Sequence, residues 1–141
     1  NIEASKLEFE ITESMMMLNI EEIIDTLNMI KALGVQLSID DFGTGYSSLS
    51  YLKRFPLNKL KIDKSFIDGL PDDKDDFAIV QSIIAIGHAL KLTVIAEGVE
   101  TIEQYEALEN NQCNEIQGYY FSKPLAVSAA SQFLTEFSKQ S

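Results

Sequence analysis

The chain has 141 residues, which is enough for one domain with a substantial hydrophobic core. Its hydrophobic content of 45% and charged content of 23% are typical of globular proteins. The formal net charge of −11 argues against a surface that binds DNA or an anionic membrane, and an anionic substrate would need a bound metal cation to reverse the local field. The single cysteine, Cys113, rules out an internal disulfide, which fits a cytoplasmic protein.

Strand-like and helix-like segments alternate along the chain. Asn19 and Glu22 have the spacing of a capping box at a helix start, Gly34 suits the end of that helix, and Thr101 and Gln104 repeat the capping-box spacing. The apolar region 77–95 is interrupted by polar residues, so we interpret it as a buried helix that leads into a strand and not as a membrane segment. The predicted strands are residues 6–12, 35–40, 59–63, 93–97 and 115–119.

Each predicted strand separates apolar from polar side chains, because neighbouring residues of a strand point to opposite faces. The second strand, for example, sets Val35, Leu37 and Ile39 against Gln36, Ser38 and Asp40. An open doubly wound sheet has helices on both faces and offers no place for five polar faces. A barrel places helices outside and polar groups inside, at its carboxyl-terminal mouth. We therefore predict an α/β fold with a TIM-barrel-like parallel sheet, in which about five βα units form an incomplete barrel of eight.

Two adjacent aspartates stand where the second strand is predicted to end. Asp40 continues the inward-facing set, and Asp41 is expected to begin the loop. Two neighbouring carboxylates repel each other unless one is protonated or a cation lies between them. Gly43 and Gly45 follow at once and allow the backbone to turn sharply near a ligand. This pattern indicates a divalent cation at the mouth of the barrel.

Five motifs follow one another along nearly the whole chain. They are EITES at 10–14, DDFGTGYSSL at 40–49, KIDKSF at 61–66, AEGVET at 96–101 and QGYYFSKP at 117–124. Together they resemble the EAL domain, the cyclic di-GMP phosphodiesterase domain of bacterial signalling proteins. The resemblance implies a modified TIM barrel that hydrolyses one phosphodiester bond of cyclic di-GMP to linear pGpG, with Mg²⁺ or Mn²⁺.

The resemblance also assigns roles to individual residues. It implies a two-metal site whose ligands in this chain are Glu10, Asp40 and Asp41. It places two catalytic residues at the attacking water or at metal-bound waters, namely Lys61 and Glu97. It gives a supporting or substrate-binding role to Gln117 and Glu100. It makes Glu13 the anchor of the loop at 40–48, which the family associates with homodimerisation.

The resemblance places the family's Glu-Ala-Leu signature, and a further asparagine ligand, upstream of these motifs and therefore before Asn1. We expect residues 1–141 to be the C-terminal part of a single EAL domain, in a cytoplasmic or membrane-anchored protein that also carries sensor or GGDEF domains. We expect this chain alone to hydrolyse cyclic di-GMP poorly or not at all. We also expect its open sheet edges to pair with another copy or to cause aggregation.

Two other classes of function compete with the phosphodiesterase. One is an inactive EAL-type module that serves as a cyclic di-GMP receptor or a dimerisation switch. The other is a different barrel enzyme, with Mg²⁺-assisted enolate chemistry or with Lys61 as a Schiff-base residue. Each candidate also has a purely structural interpretation, such as a solvated turn for the aspartates, a surface position for Lys61 and a cap for Glu97.

Overall fold

The structure is a computed structural model that describes residues 2–17, 19–45 and 49–137. Five parallel strands form one sheet in chain order, β1 (Glu8–Thr12), β2 (Gln36–Phe42), β3 (Lys59–Ile62), β4 (Thr93–Ala96) and β5 (Glu115–Ile116). The helices are α1 (Ile20–Ala32), α2 (Leu49–Leu52), α3 (Lys64–Ile67), α4 (Lys74–Ala89), α5 (Ile102–Asn110) and α6 (Val127–Phe137). Two short 3₁₀ helices, Ala4–Lys6 and Glu13–Met17, flank β1.

All five predicted strands are present, and the predicted TIM-barrel-like α/β fold is confirmed as an open sheet. The third, fourth and fifth predicted strands extend one to three residues too far at their carboxyl ends, and the first begins two residues too early. The second strand is the exception, since it continues to Phe42 where we predicted an end at Asp40. The apolar region 77–95 contains most of α4 and the start of β4, and no helix in the described ranges is both long and apolar enough to span a bilayer.

The hydrophobic core lies between the sheet and its helices. Leu37, Ile39, Leu60, Ile62 and Val94 are completely buried on the helix-facing side of the three central strands. They belong to the same hydrophobic cluster as Val80, Ile83 and Ile84 of α4. Each buried aliphatic side chain contributes about 1.5–3 kcal/mol to the free energy of folding. The opposite face of the sheet is therefore left for the polar side chains of the same strands, as the alternation predicted.

One predicted capping box is wrong and the other is confirmed. Thr101 accepts a hydrogen bond from the backbone N–H of Gln104, and the Gln104 side chain accepts one from the backbone N–H of Thr101. Asn19 has a left-handed backbone and makes no side-chain cap, and its amide contacts the Glu22 carboxylate instead. Gly34 has a φ of +90° directly after α1, which confirms the predicted helix end.

Candidate functional site

The carboxyl ends of the strands bring three carboxylates onto one lysine. The Lys61 Nζ lies 2.8 Å from Glu10 Oε1, 3.1 Å from Asp40 Oδ1 and 2.9 Å from Glu97 Oε1. Glu10, Asp40 and Lys61 lie on β1, β2 and β3, and Glu97 directly follows β4, the next strand in the sheet. Four side chains that are separated by up to 87 residues in the sequence therefore meet on the face of the sheet opposite the helices, which we refer to as the concave face. We refer to Glu10, Asp40, Lys61 and Glu97 as the upper layer.

Lys61 is the most enclosed member of the upper layer, since only 8% of its side chain is exposed. Burial on its own lowers the pKa of the ammonium group, because it removes the charged form from water. Hydrogen bonds to the three carboxylates, that to Glu10 first, outweigh burial and raise the pKa of Lys61 above its ordinary value. Lys61 is therefore cationic throughout the neutral pH range, and it holds together three groups that would otherwise repel one another.

A bulge in β2 explains how two successive aspartates reach the same site. The pairing with β3 shifts between Ile39 and Phe42, where three steps along β2 match two steps along β3. Asp41 has a left-handed backbone with a φ of +53° at this point. A bulge inserts one extra residue and redirects a side chain that regular alternation would turn to the other face. Our expectation that Asp41 begins a loop is therefore wrong, since Asp41 lies inside the bulged strand.

The bulge places Asp41 beside Asp63, a residue that we did not include among the site candidates. Partial loss of hydration raises the pKa of Asp41 although the residue is exposed, and the nearby carboxylates of Asp40 and Asp63 raise it further. A hydrogen bond joins the carboxyl groups of Asp41 and Asp63. The Ser65 hydroxyl donates to Asp63 and is the main reason why the pKa of Asp63 is lowered. The inward parity of residues 59, 61 and 63 on the third predicted strand was the signal that pointed to Asp63.

Glu13 lies beneath the loop that follows β2. Its side chain is only 3% exposed, and its Oε2 accepts hydrogen bonds from the backbone N–H groups of Gly43 and Gly45, both at 3.1 Å. A Cβ atom at Gly45 would lie 2.9 Å from the Glu13 carboxylate, so any larger residue there would displace this carboxylate from its contact. This is the contact that an anchor of the loop would make. The remainder of the predicted dimerisation loop, Tyr46, Ser47 and Ser48, lies outside the described residues.

Glu100 and Gln117 lie near the upper layer but do not join it. Glu100 forms an ion pair with Lys64, which also lies 3.8 Å from Asp68. Gln117 is exposed, and its backbone pairs with Ala96 and Val99. Within the described ranges, the Gln117 side chain makes no hydrogen bond to the upper layer. The predicted supporting roles of both residues stay predictions.

The three letters Glu-Ala-Leu do occur in the chain, at residues 106–108. They lie in α5, where Glu106 is exposed and Leu108 is completely buried in the core. A position in the middle of an outer helix is remote from the carboxyl ends of the strands. This tripeptide is therefore not part of the site.

The oxygen atoms at the mouth suit a hard divalent cation by their chemistry, since Mg²⁺ and Mn²⁺ prefer carboxylate ligands. The carboxyl groups of Asp40 and Asp63 both raise the pKa of Asp41, so a cation beside these three residues would relieve their mutual repulsion. Among residues 2–17, 19–45 and 49–137, no three acidic, histidine or cysteine side chains are already arranged to hold an ion. The ammonium group of Lys61 occupies the centre of the carboxylates instead.

Comparison with known proteins gives a consistent result. The family model described as "EAL domain" matches residues 1–124. The cyclic di-GMP phosphodiesterase NbdA of Pseudomonas aeruginosa is 51% identical over 131 residues, which are 93% of this chain and 17% of NbdA. The chain therefore spans about a sixth of the length of this curated relative.

Solved structures agree in fold. The phosphodiesterase of MucR from Pseudomonas aeruginosa, solved with c-di-GMP, has 47% identity and a TM-score of 0.88, over 92% of this chain and 52% of that one. BlrP1 of Klebsiella pneumoniae, solved with manganese and cyclic di-GMP, has 34% identity and a TM-score of 0.80, over 87% of this chain and 31% of that one.

Proposed function

Because the chain belongs to the EAL domain family, we propose that residues 1–141 form the C-terminal part of a cyclic di-GMP phosphodiesterase domain. The reaction is hydrolysis of one phosphodiester bond to give linear pGpG. The single observation that carries the proposal is the upper layer, in which three carboxylates meet a cationic lysine at the carboxyl ends of parallel strands. The name of NbdA and the cyclic di-GMP in the MucR structure support the choice of substrate.

Lys61 and Glu97 divide the chemistry between them in this proposal. Lys61 stays protonated, so it stabilises negative charge on the phosphate or on the attacking water and does not remove a proton. Glu97 is a half-buried carboxylate 2.9 Å from Lys61, and it accepts the proton that the attacking water loses. The water oxygen forms a bond to phosphorus, one phosphorus–oxygen bond breaks, and the leaving oxygen takes up a proton.

We propose Mg²⁺ or Mn²⁺ as the cofactor, held by Glu10, Asp40 and Asp41 with Asp63 beside them. The support is the oxygen donor set and the manganese in the BlrP1 structure. When bound, two divalent ions can stabilise both the attacking and the leaving oxygen of an in-line displacement. The anionic side chains would otherwise disfavour an anionic substrate, since the chain as a whole carries a net charge of −11.

The proposal extends to the assembly of the protein. We propose a cytoplasmic location for this domain, homodimerisation through the loop at 40–48, and attachment to sensor or GGDEF domains. MucR is described as a bifunctional diguanylate cyclase and phosphodiesterase, which supports the combination with a cyclase. The buried contact of Glu13 with Gly43 and Gly45 supports an ordered start of that loop.

One alternative enzyme class is disfavoured by an observation. A Schiff-base lysine must lose its proton to act as a nucleophile, so its pKa is lowered in enzymes that use it. The pKa of Lys61 is raised instead. The receptor alternative differs from the phosphodiesterase only in turnover, so a measurement of the product separates the two.

The test uses the full-length protein with Mg²⁺ and cyclic di-GMP, and it measures both binding and the formation of pGpG. We expect Glu97→Gln to lower kcat by about 100-fold or more, because a positioned general base contributes about that factor. Glu106→Gln, which removes an exposed carboxylate on α5, is the matched control and should keep wild-type activity. Binding without pGpG would support the receptor alternative, and the absence of binding would show that the substrate is wrong.

The isolated 141-residue chain provides a second comparison. We expect its turnover to be much slower than that of the full-length protein, because in this proposal it lacks part of the metal site. Turnover at the full-length rate would contradict the assignment of these residues to only part of the domain.

A further inference from the structure

A second charged cluster lies on the concave face, below the upper layer. The Lys59 Nζ lies 2.8 Å from Glu115 Oε2 and 3.3 Å from Glu8 Oε2. Its pKa is raised, mainly by the hydrogen bond to Glu115. We refer to Glu8, Lys59 and Glu115 as the lower layer. The side chains of the lower layer are only partly exposed, and none of them has a role in the proposed chemistry.

Each member of the lower layer stands two residues before a candidate site residue on the same strand or directly after it. Glu8 precedes Glu10 on β1, and Lys59 precedes Lys61 on β3. Glu115 precedes Gln117, which follows β5. Since side chains two residues apart on a strand lie on the same face, the lower layer is directly beneath the candidate site. Both layers therefore centre on a lysine of β3, with three carboxylates around Lys61 and two around Lys59.

The lysines bridge strands that are not neighbours. β2 separates β1 from β3, and β4 separates β3 from β5. Strands next to each other are about 4.8 Å apart, so β1 and β5 would each be about 10 Å from β3 in a flat sheet. The ammonium group of Lys59 nevertheless contacts Glu8 of β1 and Glu115 of β5, the two edge strands. These contacts require a strongly curved sheet, and they draw both edges towards β3.

Ser38 of β2 provides an independent observation. It is paired in register with Glu10 on one side and with Lys59 on the other, so it lies between the two layers. Lys59 and Lys61 must both extend across β2 to reach β1. Ser38 is completely buried, and its hydroxyl is the buried side-chain polar atom without a hydrogen-bond partner within the described residues. A larger side chain at this position would obstruct the two lysines.

We propose that Glu8, Lys59 and Glu115 are positioning residues for the hydrolysis, and that the small side chain of Ser38 makes their contacts possible. This inference rests on the proposed phosphodiesterase function. The lower layer sets the curvature of the sheet and thereby the distance of Glu10 from Lys61. Reacting groups must be held within a fraction of an ångström of their productive positions, so a small change of curvature lowers the rate.

The first test compares lysine variants of the full-length protein, assayed with Mg²⁺ and cyclic di-GMP. Lys59→Met keeps the length of the side chain and removes its charge, and we expect kcat to fall about tenfold while KM changes less than about twofold. Lys59→Arg keeps the charge and should restore most of the activity. Lys53→Met removes an exposed lysine that lies outside both layers, and it should behave as wild type. A Lys59→Met kcat within about twofold of this control would overturn the proposal.

The second test does not depend on activity. The ¹⁵N and ¹H resonances of the Lys61 ammonium group report its hydrogen bonds to the carboxylates. We expect these resonances to shift in Lys59→Met and to stay in place in Lys53→Met. A loss of kcat without a change at Lys61 would overturn positioning as the cause. If the wild-type protein does not hydrolyse cyclic di-GMP, the proposed function fails. The Lys61 resonances then still show whether the lower layer positions the carboxylates around Lys61.

Ser38 variants test whether the room above β2, through which Lys59 and Lys61 pass to reach β1, is needed for their contacts. Ser38→Ala keeps the passage for the lysines and removes only a hydroxyl, so we expect activity close to that of wild type. Ser38→Val fills the passage and should reproduce the Lys59→Met effect on kcat and on the Lys61 resonances. If Ser38→Val fails to fold, Glu115→Gln serves in its place, because Glu115 is 43% exposed and its amide preserves the shape. Equal activity of Glu115→Gln and wild type would then overturn the proposal.

Discussion

At the scale of single residues, Lys61 shows how neighbours decide the chemistry of a side chain. Three carboxylates within 3.1 Å hold its charge in place although most of the side chain is buried. The sequence placed Lys61 on the inward face of its strand by simple alternation. It did not indicate that Lys61 would form an ion pair with Glu10, a residue 51 positions away. That contact depends on the curvature of the sheet.

The raised pKa of Lys61 predicts a dependence of stability on alkaline pH. A basic group whose pKa is higher in the folded state stabilises the fold fully below its unfolded value of 10.5, and this contribution is lost as the pH rises through the folded value. We therefore expect the free energy of unfolding of the full-length protein to fall above this pH more steeply in wild type than in Lys61→Met. Urea unfolding at a series of alkaline pH values measures this free energy for both proteins. Parallel pH profiles of the two proteins would contradict the prediction.

The charge of Asp41 destabilises the fold, whereas the charge of Lys61 stabilises it. The fold disfavours the ionised form of Asp41, so its contribution to stability decreases as the pH rises from 3.8 through its higher folded pKa. We expect Asp41→Asn to stabilise the metal-free protein at neutral pH.

Addition of Mg²⁺ should make the wild-type protein more stable than Asp41→Asn. A ligand at about 100 times its Kd stabilises a protein by about 2.7 kcal/mol, and we expect Asp41→Asn to lose most of this gain. Thermal unfolding with Mg²⁺ and with a chelator measures both effects, and Asp72→Asn, at an exposed position, is the control. An undiminished Mg²⁺ effect in Asp41→Asn would exclude this residue as a ligand.

At the scale of secondary-structure elements, the ends of strands and helices were harder to predict than their existence. Thr101 and Asn19 have the same capping-box spacing, but only Thr101 has the extended backbone that directs its side chain to the helix. β2 runs beyond Asp40 because the bulge lets it continue pairing with β3. A bulge changes the alternation locally, and hydrophobic periodicity alone does not reveal it.

The contact between Glu13 and the loop after β2 predicts a change in local opening. Glu13→Ala removes the acceptor for the N–H groups of Gly43 and Gly45, and each bond to a charged group contributes about 1.5–3 kcal/mol. We expect hydrogen exchange of these two amides to become about 10- to 100-fold faster. Glu13→Gln keeps an acceptor oxygen and should have a smaller effect. Unchanged exchange in Glu13→Ala would show that Glu13 does not hold the loop.

At the scale of the whole molecule, the open sheet leaves two edges. β1 and β5 are the outer strands, and apolar side chains such as Phe9, 51% exposed, lie beside the β1 edge. Unpaired strand edges with exposed apolar residues promote association between copies. We expect the isolated 141-residue chain to self-associate at micromolar concentration, as measured by size-exclusion chromatography with light scattering.

Charged residues on the edge should prevent this association. The double variant Leu7→Lys/Phe9→Lys places lysines on β1 and its approach, and we expect it to be largely monomeric. Met29→Lys also replaces an exposed apolar residue, but on the outer surface of α1, and should still associate. A monomeric wild-type chain would show that the edges are protected in another way.

The sequence by itself determined the α/β class, the five strands, the polar concave face and the family, because alternation and short motifs are local properties of the chain. Only the tertiary structure decided which polar side chains meet. It placed Lys61 among three carboxylates, paired Asp41 with Asp63 through the bulge, and built a second layer around Lys59 that no motif indicates. The physical reason is that these contacts join side chains from different strands, and the curvature and the bulge that bring them together exist only once the whole sheet has formed.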